Sequence, residues 1–149
     1  IQKRSKCLIL AIKKTSFLYK GSPFAQSSGS SNFFYNTLSM NCLYDCSYCY
    51  LQGMYPSAHI VCFLNIEDYF SDTIKAINNR HDQSQPLFLS LSYDTDILAF
   101  EKIFPYCRHW INFAHNHENF IGEIRTKSTN FSALSVTKNK RNVCKPSVG

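Results

Sequence analysis

Pro86-Leu87-Phe88-Leu89-Ser90-Leu91-Ser92-Tyr93-Asp94-Thr95-Asp96 is the stretch that decides the fold. Leu87 to Ser92 is a compact, almost wholly apolar run, the pattern of a strand covered on both faces in a parallel sheet. Outward from it, strand and helix patterns alternate. Upstream, Phe33–Leu38 is aromatic and β-favouring, and His59–Leu64 is a second extended piece. Asn65 reads as a helix N-cap with Glu67 and Asp68 in the first turn, where the helix dipole favours acids. Ile66, Tyr69, Phe70, Ile74 and Ile77 mark one apolar face of that helix, and Asn78-Asn79 ends it. Downstream, the chain reads as helical from Asp96 until Pro105 interrupts, and again from Tyr106 to about Asn116. Phe120–Thr126 is the next strand, and Phe131–Val136 opens a further helix. The expected fold class is therefore α/β, a right-handed βαβ series with parallel strands forming part of a (β/α) barrel.

The loop after Phe33–Leu38 contains Asn41-Cys42-Leu43-Tyr44-Asp45-Cys46-Ser47-Tyr48-Cys49-Tyr50. A C-x3-C-x2-C spacing places three thiolates in one tight loop, which suits three irons of a [4Fe–4S] cubane and leaves the fourth iron open for chemistry. Zinc is the competing reading, since His59 beyond Cys49 would complete a Cys3His set, although zinc modules usually bring their ligands as two short knuckles. A disulfide framework is disfavoured by the odd count of seven cysteines and by the absence of an evident secretory segment. Cys7, Cys62, Cys107 and Cys144 read as buried, unreactive thiols. In parallel α/β folds the carboxyl ends of the strands share one rim. The cysteine loop, Asp94-Thr95 and Lys127-Ser128 each follow a strand, so all three are expected to face one cavity.

The cysteine spacing, the run Cys49-Tyr50-Leu51-Gln52, the strand from His59 to Asn65, Ser92-Tyr93-Asp94-Thr95-Asp96 and Arg125-Thr126-Lys127-Ser128 together resemble the spore photoproduct lyase-like branch of the radical S-adenosylmethionine (SAM) enzymes, over roughly Phe33 to Leu134. The resemblance implies a radical-SAM-type barrel, of which this chain is a partial one. It implies a [4Fe–4S] cluster on Cys42, Cys46 and Cys49, SAM chelated at the open iron, and reductive cleavage of SAM to a 5′-deoxyadenosyl radical. It places Tyr48 against the adenine, Lys127 at the SAM carboxylate, and Asp94 and Thr95 at the amino group or ribose. Each has a structural alternative: a loop-packing tyrosine, a snorkelling surface lysine, and helix caps. The family carries a cysteine after the second conserved strand, where it returns a hydrogen atom to the product radical. Tyr93 stands there instead, a candidate hydrogen donor that puts thymine-dimer repair itself in question.

A net charge of +6 and a pI near 9.0 favour polyanionic partners, DNA among them. Lys3, Arg4, Lys6, Lys13, Lys14 and Lys20 crowd one end, and Lys138, Lys140, Arg141 and Lys145 the other. Solvated tails are the alternative to phosphate contact. The Ser/Gly-rich stretch 21–31 sets a basic arm, residues 1–31, apart from residues 32–149, the N-terminal part of the barrel. Nothing approaches the ~20 apolar residues of a membrane span. Cys7–Ile12 is a short strand rather than a signal segment. The expected location is cytoplasmic, with a flavodoxin or ferredoxin as reductant. Because the sequence opens on Ile1 and its last stretch has no closing element, an inactive fragment is one alternative to the enzyme, and a zinc-clamped basic nucleic-acid-binding module is the other.

Overall fold

A computed structural model describes residues 6–22, 30–134 and 146–147 of the chain. In chain order the strands are β1 (Leu8–Ala11), β2 (Tyr19–Lys20), β3 (Phe33–Tyr35), β4 (Ser39–Met40), β5 (Ile60–Phe63), β6 (Leu87–Leu91), β7 (Phe120–Arg125) and β8 (Pro146–Ser147). The helices are α1 (Leu51–Met54), α2 (Ile66–Asn78) and α3 (Tyr106–Asn116), with a 3-10 helix, Ile97–Phe100, ahead of α3.

The apolar run that decides the fold is the centre of the larger sheet. β6 pairs in parallel with β3 on one side and β7 on the other, and the sheet order is β2-β3-β6-β7-β8. Leu89 lies opposite Phe34 and Gly122 and is fully buried, as is Leu87. Gly122 has little room to be anything larger. A Cβ there would come within 3.3 Å of both Leu91 and Phe120. α2 and α3 cover this sheet through Trp110, whose ring meets Phe70 edge-on at 4.9 Å and stacks on Phe120 at 5.8 Å. The buried phenols are satisfied: Tyr69 donates to the Thr37 carbonyl at 2.7 Å and Tyr106 to the Phe63 carbonyl at 2.8 Å.

The structure corrects the single parallel series. There are two sheets, and the second has the order β1-β5-β4. β4 runs antiparallel to β5, and β2 antiparallel to β3. The expected strand Phe33–Leu38 ends at Tyr35, because the chain turns out of the larger sheet there and joins the smaller one at Ser39. The basic arm contributes β1, in parallel with β5, and β2. Asn65 stands at the start of α2, but its side chain makes no capping bond. It pins Lys13 instead, accepting from that residue's N–H at 3.0 Å and donating to its carbonyl at 2.9 Å.

Other local expectations change as well. Ile74 is exposed on α2, and Thr73 takes the buried position by returning its hydroxyl to the Tyr69 carbonyl at 2.7 Å. The helix expected from Asp96 is one 3-10 turn followed by turns. Of the helix expected over Phe131–Val136, Ser132 and Ala133 form a turn and Leu134 is in 3-10 conformation, and the remainder lies outside the described residues. Cys62 and Cys107 are buried as expected, whereas Cys7 is exposed on the edge strand's approach. Cys144, Lys3, Arg4 and the basic residues from Lys138 to Lys145 lie outside the described residues.

If β6 is buried on both faces, Leu89→Ala leaves a cavity that neither sheet neighbour can fill. The expected loss is about 2–5 kcal/mol of stability by urea unfolding. A loss below about 1 kcal/mol would show that one face of the strand is open to water.

Candidate cofactor site

The ends of β3, β6 and β7 meet at one rim, held there by side chains that bond to backbone. Asn36, just past β3, accepts the Ser92 N–H on its Oδ1 at 2.7 Å, and its carbonyl accepts the Tyr93 N–H at 3.0 Å. Ser92 adopts a left-handed φ of 55°, and its hydroxyl accepts the Leu38 N–H at 3.3 Å. The turn after β6 is thereby tied to the segment that leads into the cysteine loop.

The loop is closed at its base by Asn41, which has a φ of 65°. Its side-chain amide donates to the carbonyls of Ser57 and His59 at 2.8 and 2.7 Å. Within it the Cys49 N–H donates to the Cys46 carbonyl at 3.0 Å, and Gln52 Nε2 donates to the same carbonyl at 2.7 Å. Lys6 of the arm reaches Asp45 at 3.4 Å. Cys42, Cys46 and Cys49 are half-buried free thiols. Burial pushes the Cys42 thiol up, while N–H groups of Tyr44 and Asp96 pull it the other way. The charges of Asp96 and Cys49 add to the rise, which places both beside it.

The other expected site residues cluster around this loop. Lys127 Nζ stands 5.7 Å from the centre of the Tyr48 ring, which is 76% exposed. Tyr50 donates its hydroxyl to the Tyr93 carbonyl at 3.1 Å. The Tyr93 ring lies 5.6 Å from Tyr35 and 5.4 Å from the Arg125 guanidinium. Tyr50, Ser92, Tyr93, Thr95 and Arg125 line a pocket of about 150 Å³. Thr95 is buried there with no partner for its hydroxyl, so that group is available to a ligand. Asp94 is engaged: its Oδ2 accepts from Thr37 Oγ1 at 2.6 Å. Asp96, which belongs to the motif Ser92–Asp96 but takes no role from it, gathers more donors than any of these. Its position as an N-cap before Ile97 is its other sequence signal.

The donor chemistry can be tested against the two metal readings. Among the described residues no three His, Cys, Asp or Glu side chains are already grouped around one point, for zinc or for a cluster. His59 Nδ1 accepts the Cys7 N–H at 3.2 Å. In a neutral ring the proton then sits on Nε2, so neither nitrogen has a lone pair for zinc. A cubane takes each thiolate on a different iron, and Cys42, Cys46 and Cys49 offer three thiols from one loop.

Burial chiefly, with the charges of Asp94 and Tyr93 next, pushes the Tyr50 phenol up to about 12. Removing the Asp94 charge in Asp94→Asn should lower that value, leaving it above the ordinary one because burial remains. Phenolate absorbance against an Asp94→Asn/Tyr50→Phe control measures it. An unmoved titration would place the carboxylate out of reach of Tyr50.

Known proteins enter at this point. No curated protein sequence matches the chain. Its fold is that of solved spore photoproduct lyase structures. One, complexed with the dinucleoside spore photoproduct, has a TM-score of 0.71 at 22% identity. A doubly substituted mutant with bound AdoMet and the dinucleoside spore photoproduct has a TM-score of 0.71 at 21% identity. A tyrosine-to-phenylalanine mutant has a TM-score of 0.70 at 20% identity. Each match covers 85% of this chain and 35% of the other, so the chain spans about a third of the length of those enzymes. The spore photoproduct lyase family model matches residues 2–145. With that match running over nearly its whole length, the chain belongs to the spore photoproduct lyase family.

Proposed function

We propose that this chain forms the cofactor-binding part of a radical SAM enzyme, with Cys42, Cys46 and Cys49 holding a [4Fe–4S] cluster and the rim beside them holding SAM. The observation that carries the reading is Lys127 poised over Tyr48 next to a three-thiol loop, at the end of parallel strands. When bound, the cluster and SAM supply a 5′-deoxyadenosyl radical by one-electron cleavage of the sulfonium.

The chain's own groups bind and orient. Tyr48 offers an exposed ring face to the adenine, and Lys127 offers a cation to the carboxylate. Thr95 supplies the unpaired hydroxyl for the amino group or ribose, whereas Asp94 is already held by Thr37 and acts as support. Tyr93, at the mouth of the pocket, is the proposed hydrogen donor to a product radical. A phenol where the family has a thiol points to a lesion other than the thymine dimer. DNA is the partner the basic charge favours, and the proposed setting is a reducing cytoplasm with a flavodoxin or ferredoxin as electron donor. Among the described residues no helix is long and apolar enough to cross a membrane. The partial barrel would be completed by strands beyond those described here.

Anaerobic reconstitution tests the reading. Cys46→Ala should lose the cluster's visible absorption, and full iron and sulfide content in that variant would overturn the assignment. Lys127→Ala should keep the cluster and weaken SAM binding about tenfold or more, the worth of one charge-assisted hydrogen bond. Unchanged affinity would make Lys127 a surface residue. The reduced protein should release 5′-deoxyadenosine slowly and uncoupled, without reversing thymine dimers in irradiated DNA. Mass spectrometry reads both, and efficient dimer reversal would refute the role given to Tyr93.

A further inference from the structure

Asp96 is only 6% exposed. As the cap of the 3-10 helix it needs two donors, the N–H groups of Leu98 and Ala99, which its Oδ1 accepts at 3.1 and 3.2 Å. It has more. Thr126 Oγ1 donates to both carboxylate oxygens at 2.8 and 2.9 Å, and the Lys127 N–H donates to Oδ2 at 2.6 Å. These partners lie on another strand end, 30 and 31 residues along the chain, and capping does not explain them. The Cys42 thiol lies within reach of the backbone N–H and the charge of Asp96.

We propose that Asp96 is a positioning residue for the SAM-facing lysine: its carboxylate ties the turn after the second conserved strand to the end of the next one and fixes the backbone of Lys127 beside the cysteine loop. The inference rests on the cofactor reading above and adds the residue that positions its lysine. A buried carboxylate suits this task because it only accepts hydrogen bonds, and each partner supplied at Thr126 and Lys127 is a donor. Asparagine in its place keeps one accepting oxygen. Its amide must then turn a donor toward either the capped N–H groups or the Thr126–Lys127 pair, and one set loses its partner.

The first measurement needs no cofactor. In the metal-free chain, hydrogen exchange at the Lys127 amide should rise at least about tenfold in Asp96→Asn, while amides of β6 stay protected. Thr126→Val removes one donor without touching the cap, and it should raise the same exchange by a smaller factor, so the question is answered even if Asp96→Asn folds poorly. The second measurement uses the reconstituted protein. Asp96→Asn should retain its iron and lose about tenfold in SAM affinity, and Asp96→Asn/Lys127→Ala should bind no more weakly than Lys127→Ala alone, since both changes remove one coupled contact. Unchanged Lys127 exchange in both variants, or losses that simply add in the double variant, would overturn the proposal. If the wild-type protein loads its cluster and fails to bind SAM, the cofactor reading falls, and the exchange result still decides what Asp96 holds.

Discussion

The rim depends on one buried amide, that of Asn36. A parallel sheet brings its strand ends to one side but does not say how each chain leaves, and here the exit of β6 is dictated by the residue that follows β3. Asn36 takes the Ser92 N–H on its side chain and the Tyr93 N–H on its carbonyl, while its own N–H donates to the Ser90 carbonyl at 3.2 Å. Those bonds hold Ser92 in the left-handed region, which costs an ordinary residue roughly 1–2 kcal/mol. The return is geometric. With Ser92 turned, its hydroxyl receives Leu38, the chain crosses to the smaller sheet, and the cysteine loop starts where the second strand's turn ends.

Around that frame the polar groups divide by charge. Asp94 and Asp96 are buried carboxylates surrounded by hydroxyl and amide donors. The phenols beside Asp94 are pushed up, by burial first and by its charge next, so Tyr50 and Tyr55 stay protonated and keep their capacity to donate. The cationic groups stand over aromatic faces: Arg125 over Tyr93 and Lys127 over Tyr48. This donor-rich pocket wall, next to a cation and a thiol loop, is what the proposed SAM site rests on.

Much of this was legible in sequence, and the part that was not has a common cause. The run Leu87–Ser92, helix α3 and strand β7 follow from local pattern, since burial on both faces or at helical period is written in consecutive residues. The cysteine spacing is likewise local. What pattern could not show were bonds from side chains to distant backbone. Asn36 to Ser92 spans 56 residues and Thr37 to Asp94 spans 57. Asparagine and threonine in those places look like ordinary turn residues, so the sheet switch between Tyr35 and Ser39 was invisible. Asp96 hid for the opposite reason, because its role as a cap was enough to account for it. Ile74 had the right spacing for a buried face and lacked a neighbour to bury it.

Strand β1 carries a different consequence. It sits at the end of the order β1-β5-β4, and Leu8, Ile9 and Leu10 on it are 45%, 43% and 55% exposed. Among the described residues one side of that strand has no sheet partner beside its apolar side chains, a template that another extended segment can extend. Lys14 after it places a charge at that edge, which opposes the addition of another copy in parallel register, whereas Lys6 before it is already paired with Asp45. Conditions that screen the chain's net positive charge favour edge-to-edge association at that strand, and low salt keeps the molecules apart.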